Sequence, residues 1–177
     1  MEKKDEGLKI LFVSSEVVPF VKTGGLADVA GFLPREIKKQ GHDVRVVMPE
    51  YIQQIDDDYL AETEHIAHFR TNVAWRDEYV GVDRLENKGV PTYLIDNKGK
   101  FDRPNLYENP DKHVQFAYFC RAVIEMLPKI DFQPDIIHCN DWQTGPLSAM
   151  LKTQYQQYSF YENIKTIYTI HNLRYQG

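Results

Sequence analysis

The sequence predicts an α/β domain built on a doubly wound, mostly parallel sheet with an antiparallel insertion. Short apolar runs alternate with segments whose apolar residues recur every three or four positions, the pattern of strands linked by covering helices. Three polar motifs, Lys22 with Gly24-Gly25, Asn140-Asp141-Trp142 and His171-Asn172, each fall just past one of those runs. In a doubly wound sheet, ligands lie beyond the carboxyl ends of the strands, so three distant segments are expected to converge on one crevice.

The elements follow in order. Lys9–Ser15 reads as a buried strand, and Leu26, Val29, Ala30, Leu33 and Ile37 mark one face of a helix. Pro34 either kinks that helix or opens a second short one, where its missing N–H costs nothing. Gly41 supplies the stop, and Asp43–Met48 is the next strand, completing a right-handed βαβ unit. Ile66–Trp75 and Glu78–Glu86 read as strands, Asn87-Lys88-Gly89 as a turn and Val90–Ile95 as another strand, which gives the insertion. The stretch 97–110 is rich in Gly, Asn, Asp and Pro and reads as a long loop. Phe116, Phe119, Cys120, Val123, Ile124 and Leu127 mark a long amphipathic helix. Asp135–His138 is a strand, Leu147–Tyr158 a helix and Lys165–Ile170 a last strand.

With 177 residues and 42% hydrophobic content, the chain is expected to form one domain, 1–177, with a substantial core. A net charge of −5 without basic runs argues against nucleic acid. Cys120 and Cys139 are too far apart for a CxxC site and too few for a disulfide framework, so both read as buried thiols in a reducing compartment. The charged start and the early Glu16 rule out a secretory h-region, and no run approaches the roughly 18–20 apolar residues of a membrane span. The expectation is a soluble cytoplasmic protein. The chain stops at Gly177, a few residues past a strand, which suggests a truncated domain whose last strand exposes an edge.

Lys22 and the Gly24-Gly25 pair sit where a strand turns into a helix. Glycines allow close approach of backbone N–H groups, the helix end adds partial positive charge and Lys22 adds a full one, so an anion site is expected there; a plain βα turn is the alternative. Asp141 can serve as a base, a hydroxyl-binding carboxylate or an orienting group, or simply cap a loop. His171, paired with Asn172, can donate to a sugar hydroxyl or phosphate. A metal site from His138, Cys139, Asp141 and His171 is disfavoured, because residues 138 and 139 point to opposite faces of a strand. Trp142, Tyr107 and Phe101 offer apolar faces for sugar rings; Tyr155, Tyr158, Phe160 and Tyr161 read as helix packing or loop.

Taken together, Lys22-Thr-Gly-Gly-Leu-Ala-Asp-Val29, Gly41-His-Asp-Val44, Tyr93-Leu-Ile-Asp96 with Phe101-Asp-Arg-Pro104, His138-Cys-Asn-Asp-Trp142 and His171-Asn-Leu-Arg-Tyr-Gln-Gly177 resemble bacterial glycogen synthases and plant starch synthases. The resemblance implies a retaining glycosyltransferase that moves glucose from ADP-glucose to the non-reducing end of an α-1,4-glucan, glycogen or maltooligosaccharide, without a further cofactor or metal. It also implies the N-terminal, acceptor-side half of a two-domain B-type glycosyltransferase with Rossmann-like domains. By that resemblance, Lys22, Gly24 and Gly25 contact the donor diphosphate and His171 lies beside the donor glucose. Asp141 stands on the acceptor side, while Asp28, Trp142 and Asn172 support the acceptor or the loops. Phe101 stands where the family often has Tyr and Asn140 where it often has His or Ala, which puts local acceptor contacts in question. The second Rossmann-like domain, with most nucleotide contacts, is missing, so the chain alone is expected to be inactive. A non-catalytic glucan-binding module and a UDP-glucose-dependent enzyme remain as alternatives; a phosphate-binding receiver fits poorly, since Glu16 with Asp141 makes no acidic cluster.

Overall fold

The computed structural model describes residues 7–175 and 177. β1 (Lys9–Val13), β2 (Asp43–Pro49), β3 (Glu64–Val73), β4 (Arg76–Asn87), β5 (Val90–Asp96), β6 (Ile136–Asn140) and β7 (Lys165–Thr169) form one sheet in the order β3-β4-β5-β2-β1-β6-β7. β1 pairs in parallel with β2 and β6, β2 with β5, and β6 with β7. β4 runs antiparallel to β3 and β5, so the expected insertion extends the same sheet. The chain builds outward from β1 to β2 and β5, then returns to lay β6 on the other side of β1. The β1/β6 boundary is therefore the switch point at which such sheets open a crevice.

Leu11, Phe12 and Val13 of β1 and Val46, Val47 and Met48 of β2 are buried. Strands covered on both faces need such continuous apolar runs, which is why these two are legible as sequence. α1 (Gly25–Lys39) crosses from β1 to β2 and runs unbroken through Pro34. Its buried face is Leu26, Ala27, Ala30, Gly31 and Pro34 rather than the expected stripe, and Leu33 is exposed. The rotation has a cause in the β1–α1 loop: a Cβ on Gly31 would stand 2.3 Å from Val18 Cγ2 and 2.8 Å from its carbonyl oxygen. The loop lies directly on the helix backbone there. Gly41 takes φ +96° just past the helix and donates to the Lys38 carbonyl, as a C-terminal stop should.

The Lys88-Gly89 turn, with φ of 49° and 83°, closes the β4–β5 hairpin in the two-residue form the sequence signals. A short helix the sequence did not announce, α2 (Asp57–Ala61), is capped by Asp56, whose side chain accepts the Asp58 N–H. The expected loop 97–110 begins with another, α3 (Lys98–Phe101). The rest of that loop is tied down by Arg103, which pairs with Asp111 at 2.5 Å and donates to the Gly99 carbonyl. α4 (Lys112–Met126) is buried on more than one face, Tyr118, Ala122 and Met126 joining the expected stripe. The predicted helix Leu147–Tyr158 starts earlier and splits: α5 (Gly145–Met150) passes into a wider π-helical turn, Leu151–Tyr155.

Candidate functional site

Gly24 caps the start of α1 with extended backbone, and neither Gly24 nor Gly25 has positive φ. A Cβ built on either would meet nothing within 4 Å. The turn itself therefore does not require glycine, and what the pair preserves is open space above the helix start. The N–H groups of Gly25 and Leu26 point out of the first turn without an acceptor among the described residues. Lys22 and Asp28 flank them as an exposed pair, Nζ lying 2.8 Å from the carboxylate. Exposed pairs of this kind hold by about 0–1 kcal/mol, so the ammonium is free to exchange its partner for another anion.

Glu16 builds the loop from beneath, a role its place in the sequence hid. It is 4% exposed, and its carboxylate accepts the Thr23 N–H, the Thr23 hydroxyl at 2.9 Å and the Gly24 N–H at 3.3 Å. Two of the donors nearest the glycine pair are thus oriented by a buried acid. Tyr107 stands next to it, its hydroxyl 3.0 Å from Ser15 Oγ. Burial first, then the Glu16 charge, pushes the Tyr107 phenol above its ordinary range, so it stays a neutral hydroxyl.

Tyr107 carries the contact on to the next strand end. Its ring lies 6.4 Å from Trp142, which packs edge-on against Phe116 at 5.1 Å with Lys112 Nζ 5.5 Å over its ring. Trp142 is thereby held by protein on several sides and supports the rim. Phe101 is not a sugar platform: it is fully buried against Tyr51, Tyr118 and Phe119.

Asp141 adopts φ +57° and ψ 178°, a region that only glycine enters freely. Its carboxylate accepts the His171 backbone N–H at 2.6 Å, while its own N–H donates to the Thr169 carbonyl. The His171 ring turns inward, Nε2 donating to Asn140 Oδ1 at 2.9 Å. Asn140, fully buried, donates in turn to the carbonyls of Val13 and His138. Asn140 is accordingly an internal clamp between β1, β6 and the segment after β7, and its amide is not an acceptor contact. Asn172 folds back on its own loop, Oδ1 accepting the Arg174 N–H.

His138 makes an edge-on contact with Phe12 at 4.6 Å and a 2.8 Å hydrogen bond with Thr169, and burial followed by His171 lowers its pKa. Cys139 faces the other way, toward Ser148, its thiol pushed up to about 12 by burial. Cys120 and Cys139 are free buried thiols, as the sequence implies. Among the described residues no group of three or more His, Cys, Asp or Glu is placed to hold a metal, and no helix is long and apolar enough to cross a membrane. A concavity of about 620 Å³ at Ile52–Asp57 is lined by none of the predicted site residues.

One connected set thus runs from Gly24 through Glu16, Tyr107 and Trp142 to Asp141 and His171. The fold and this rim define a doubly wound α/β domain with a polar rim at its β1/β6 switch point. The starch synthase catalytic domain model matches residues 9–177. Glycogen synthase of Anoxybacillus flavithermus is 51% identical over 170 residues, covering 96% of this chain and 35% of its own length. That of Clostridium kluyveri is 51% identical over 170 residues, covering 96% and 36%. The catalytic domain of starch synthase IV from Arabidopsis thaliana, bound to ADP and acarbose, superposes with a TM-score of 0.87 at 27% identity, over 96% of this chain and 35% of that one. The chain belongs to the starch synthase catalytic domain family. It spans about a third of the length of the relatives it matches.

Proposed function

We propose that this chain is the N-terminal, acceptor-side domain of a cytoplasmic glycogen synthase that transfers glucose from ADP-glucose to the non-reducing end of an α-1,4-glucan with retention. The observation that carries the reading is the open helix start after Gly24: the N–H groups of Gly25 and Leu26, unpaired among the described residues, a movable Lys22 ammonium and no side chain in the way. A diphosphate fits that combination of directed donors and positive charge. The structural neighbour bound to ADP and acarbose supports a nucleotide and a saccharide as the two ligands.

In this reading Lys22 leaves Asp28 for the donor diphosphate, and Glu16 keeps the Thr23-Gly24 turn in place while it does so. His171 stands beside the donor glucose with its backbone fixed by Asp141 and its ring by Asn140, and Asp141 borders the acceptor. Asp28, Trp142 and Asn172 support these loops. The donor is a substrate, and the reading calls for no cofactor or metal.

Transfer requires donor and acceptor in near-attack geometry and a neutralised leaving diphosphate, which a second Rossmann-like domain would complete. The chain alone is therefore expected to bind without transferring. Separate calorimetric titrations with ADP-glucose and maltopentaose test the reading, with Lys22→Ala expected to lose the first and keep the second. Loss of neither would remove the diphosphate assignment, and steady ADP release by the isolated chain with glycogen would overturn the expected inactivity.

A further inference from the structure

On the far side of the sheet from β7, the outer strand β3 carries two histidines that the site above does not use. Residues three apart in a regular strand point to opposite faces. Here the register steps from His65↔Asp83 to Ala67↔Val82 and His68↔Gly81, so Ile66 is an extra residue and the strand bulges. The bulge puts His65 and His68 on one face, that of Asp83, which is the re-aiming such features produce.

The two rings lie nearly parallel, 20° apart with centroids at 5.6 Å, and His65 Nε2 is 3.4 Å from His68 Nδ1. His65 Nδ1 is 2.7 Å from Asp83 Oδ1. The Asp83 side chain is 14% exposed against 48% for His65, so an inner carboxylate holds an outer imidazole. Behind Asp83 lie Glu50, which shares a hydrogen bond with it, and Asp96, whose Oδ1 is buried without a hydrogen-bond partner among the described residues. Lys98 is the cation facing this group. Asp83 and Asp96 against Lys98 leave the surroundings net acidic, which favours a cation held between the two rings.

We propose that His65 and His68 form a binding site for a borderline divalent transition metal of the Zn²⁺ type, with His65 Nε2 and His68 Nδ1 as its two protein ligands and water completing the shell. Two nitrogens on one tetrahedral metal, each at about 2.0–2.1 Å, lie about 3.3–3.4 Å apart; that separation is already present, and a tilt of each exposed ring turns its lone pair from the facing nitrogen toward a shared metal. With its Nδ1–H directed at Asp83, His65 presents a lone pair at Nε2, the carboxylate–histidine arrangement that orients metal-bound imidazoles. With His65 in that tautomer, the donor in the metal-free pair is His68 Nδ1–H. Metal entry requires the His68 proton to move to its other ring nitrogen, with no net change in charge on the ring. Imidazole donors select Zn²⁺, Ni²⁺ or Cu²⁺ over Mg²⁺ and Ca²⁺, which demand oxygen shells.

The test is calorimetric titration of the chelator-treated chain with Zn²⁺, and separately with Mg²⁺, followed by imidazole nitrogen NMR. One saturable Zn²⁺ site is expected, with shifts confined to His65 and His68 and no response to Mg²⁺. His68→Ala should abolish it; the His68 side chain is exposed and, among the described residues, hydrogen-bonds only to His65, so the variant's circular dichroism should match the parent. Asp83→Asn should weaken binding about 10–100-fold, the usual cost of losing an outer-shell partner. His65→Gln provides a second ligand deletion. The proposal is overturned by absence of saturable Zn²⁺ binding, or by binding that His68→Ala and His65→Gln both leave unchanged. Neither result touches the glucosyl-transfer reading.

Discussion

The Asp141 carboxylate holds the backbone N–H of His171 at 2.6 Å, from the end of one parallel strand to the segment following the next. It does so from a φ of +57°, where a side chain costs free energy. A strained residue retained for the sake of one charge-assisted bond ties local backbone conformation to the position of His171. Two substitutions separate these terms. Asp141→Ala keeps the strain and loses the bond; Asp141→Gly loses both. Urea unfolding should show Asp141→Gly more stable than Asp141→Ala by about 1–2 kcal/mol. Equal stabilities would mean that the conformation carries no strain.

Glu16 joins the first strand end to the glycine turn through the Thr23 and Gly24 donors. Glu16→Gln preserves its volume but replaces a carboxylate acceptor by an amide, whose NH₂ end cannot accept. A loss of about 1–3 kcal/mol is expected for this buried group. Amide exchange at Thr23 and Gly24 should accelerate more than exchange in β1, which separates loosening of the turn from general destabilisation.

Glu50 gives the fold a pH dependence. Burial, then the charges of Asp83 and Asp96, raises its pKa from 4.5 to about 8, with Lys98 opposing. Asp96 is raised as well, by burial and by Asp83. In the unfolded chain Glu50 ionises near 4.5, whereas the folded chain keeps its proton to about 8. Across that window the native state binds the extra proton, so stability falls as pH rises and levels off above it. Urea midpoints should be higher at pH 6 than at pH 9 (values spanning roughly the upper half of the window). Glu50→Gln should flatten the dependence, and an unchanged slope in that variant would assign it to other groups.

Much of this was legible in the sequence, and the exceptions have physical causes. β1, β2 and the βαβ unit could be read because strands buried on both faces must be apolar throughout, and Gly41 and Lys88-Gly89 because their backbone angles suit few residues. The rotated face of α1 could not, since it depends on where Val18 meets Gly31, a contact between segments. α2 and α3 are too short to show a period. Glu16 read as a break in an apolar run and as a poor acidic partner for Asp141, because a buried carboxylate is recognisable by its donors, and these lie seven and eight residues away. Phe101 and Trp142 carry the same aromatic signal, yet one is core and the other lines the rim. The strand-end rule put Lys22, Asp141 and His171 past the ends of β1, β6 and β7, where the structure has them, because it follows from topology, and Tyr107 connects the segments across a loop no local pattern could position.

The glycines of the first loop provide a sharper test of the donor site than any charged residue, because stability and binding should move in opposite directions. Gly25 is the first residue of α1, its φ is not positive, and a Cβ there meets nothing within 4 Å. Alanine should therefore leave stability unchanged or raise it by up to about 1 kcal/mol through helix propensity. The same methyl group stands in the space a diphosphate needs, so ADP-glucose affinity should fall at least tenfold. Gly31→Ala is the counterpart: its Cβ would overlap Val18 Cγ2 at 2.3 Å, and a loss of about 1–3 kcal/mol is expected from overpacking. If Gly25→Ala retains full affinity, the open space above α1 is not where the diphosphate lies, and the helix start is only a turn.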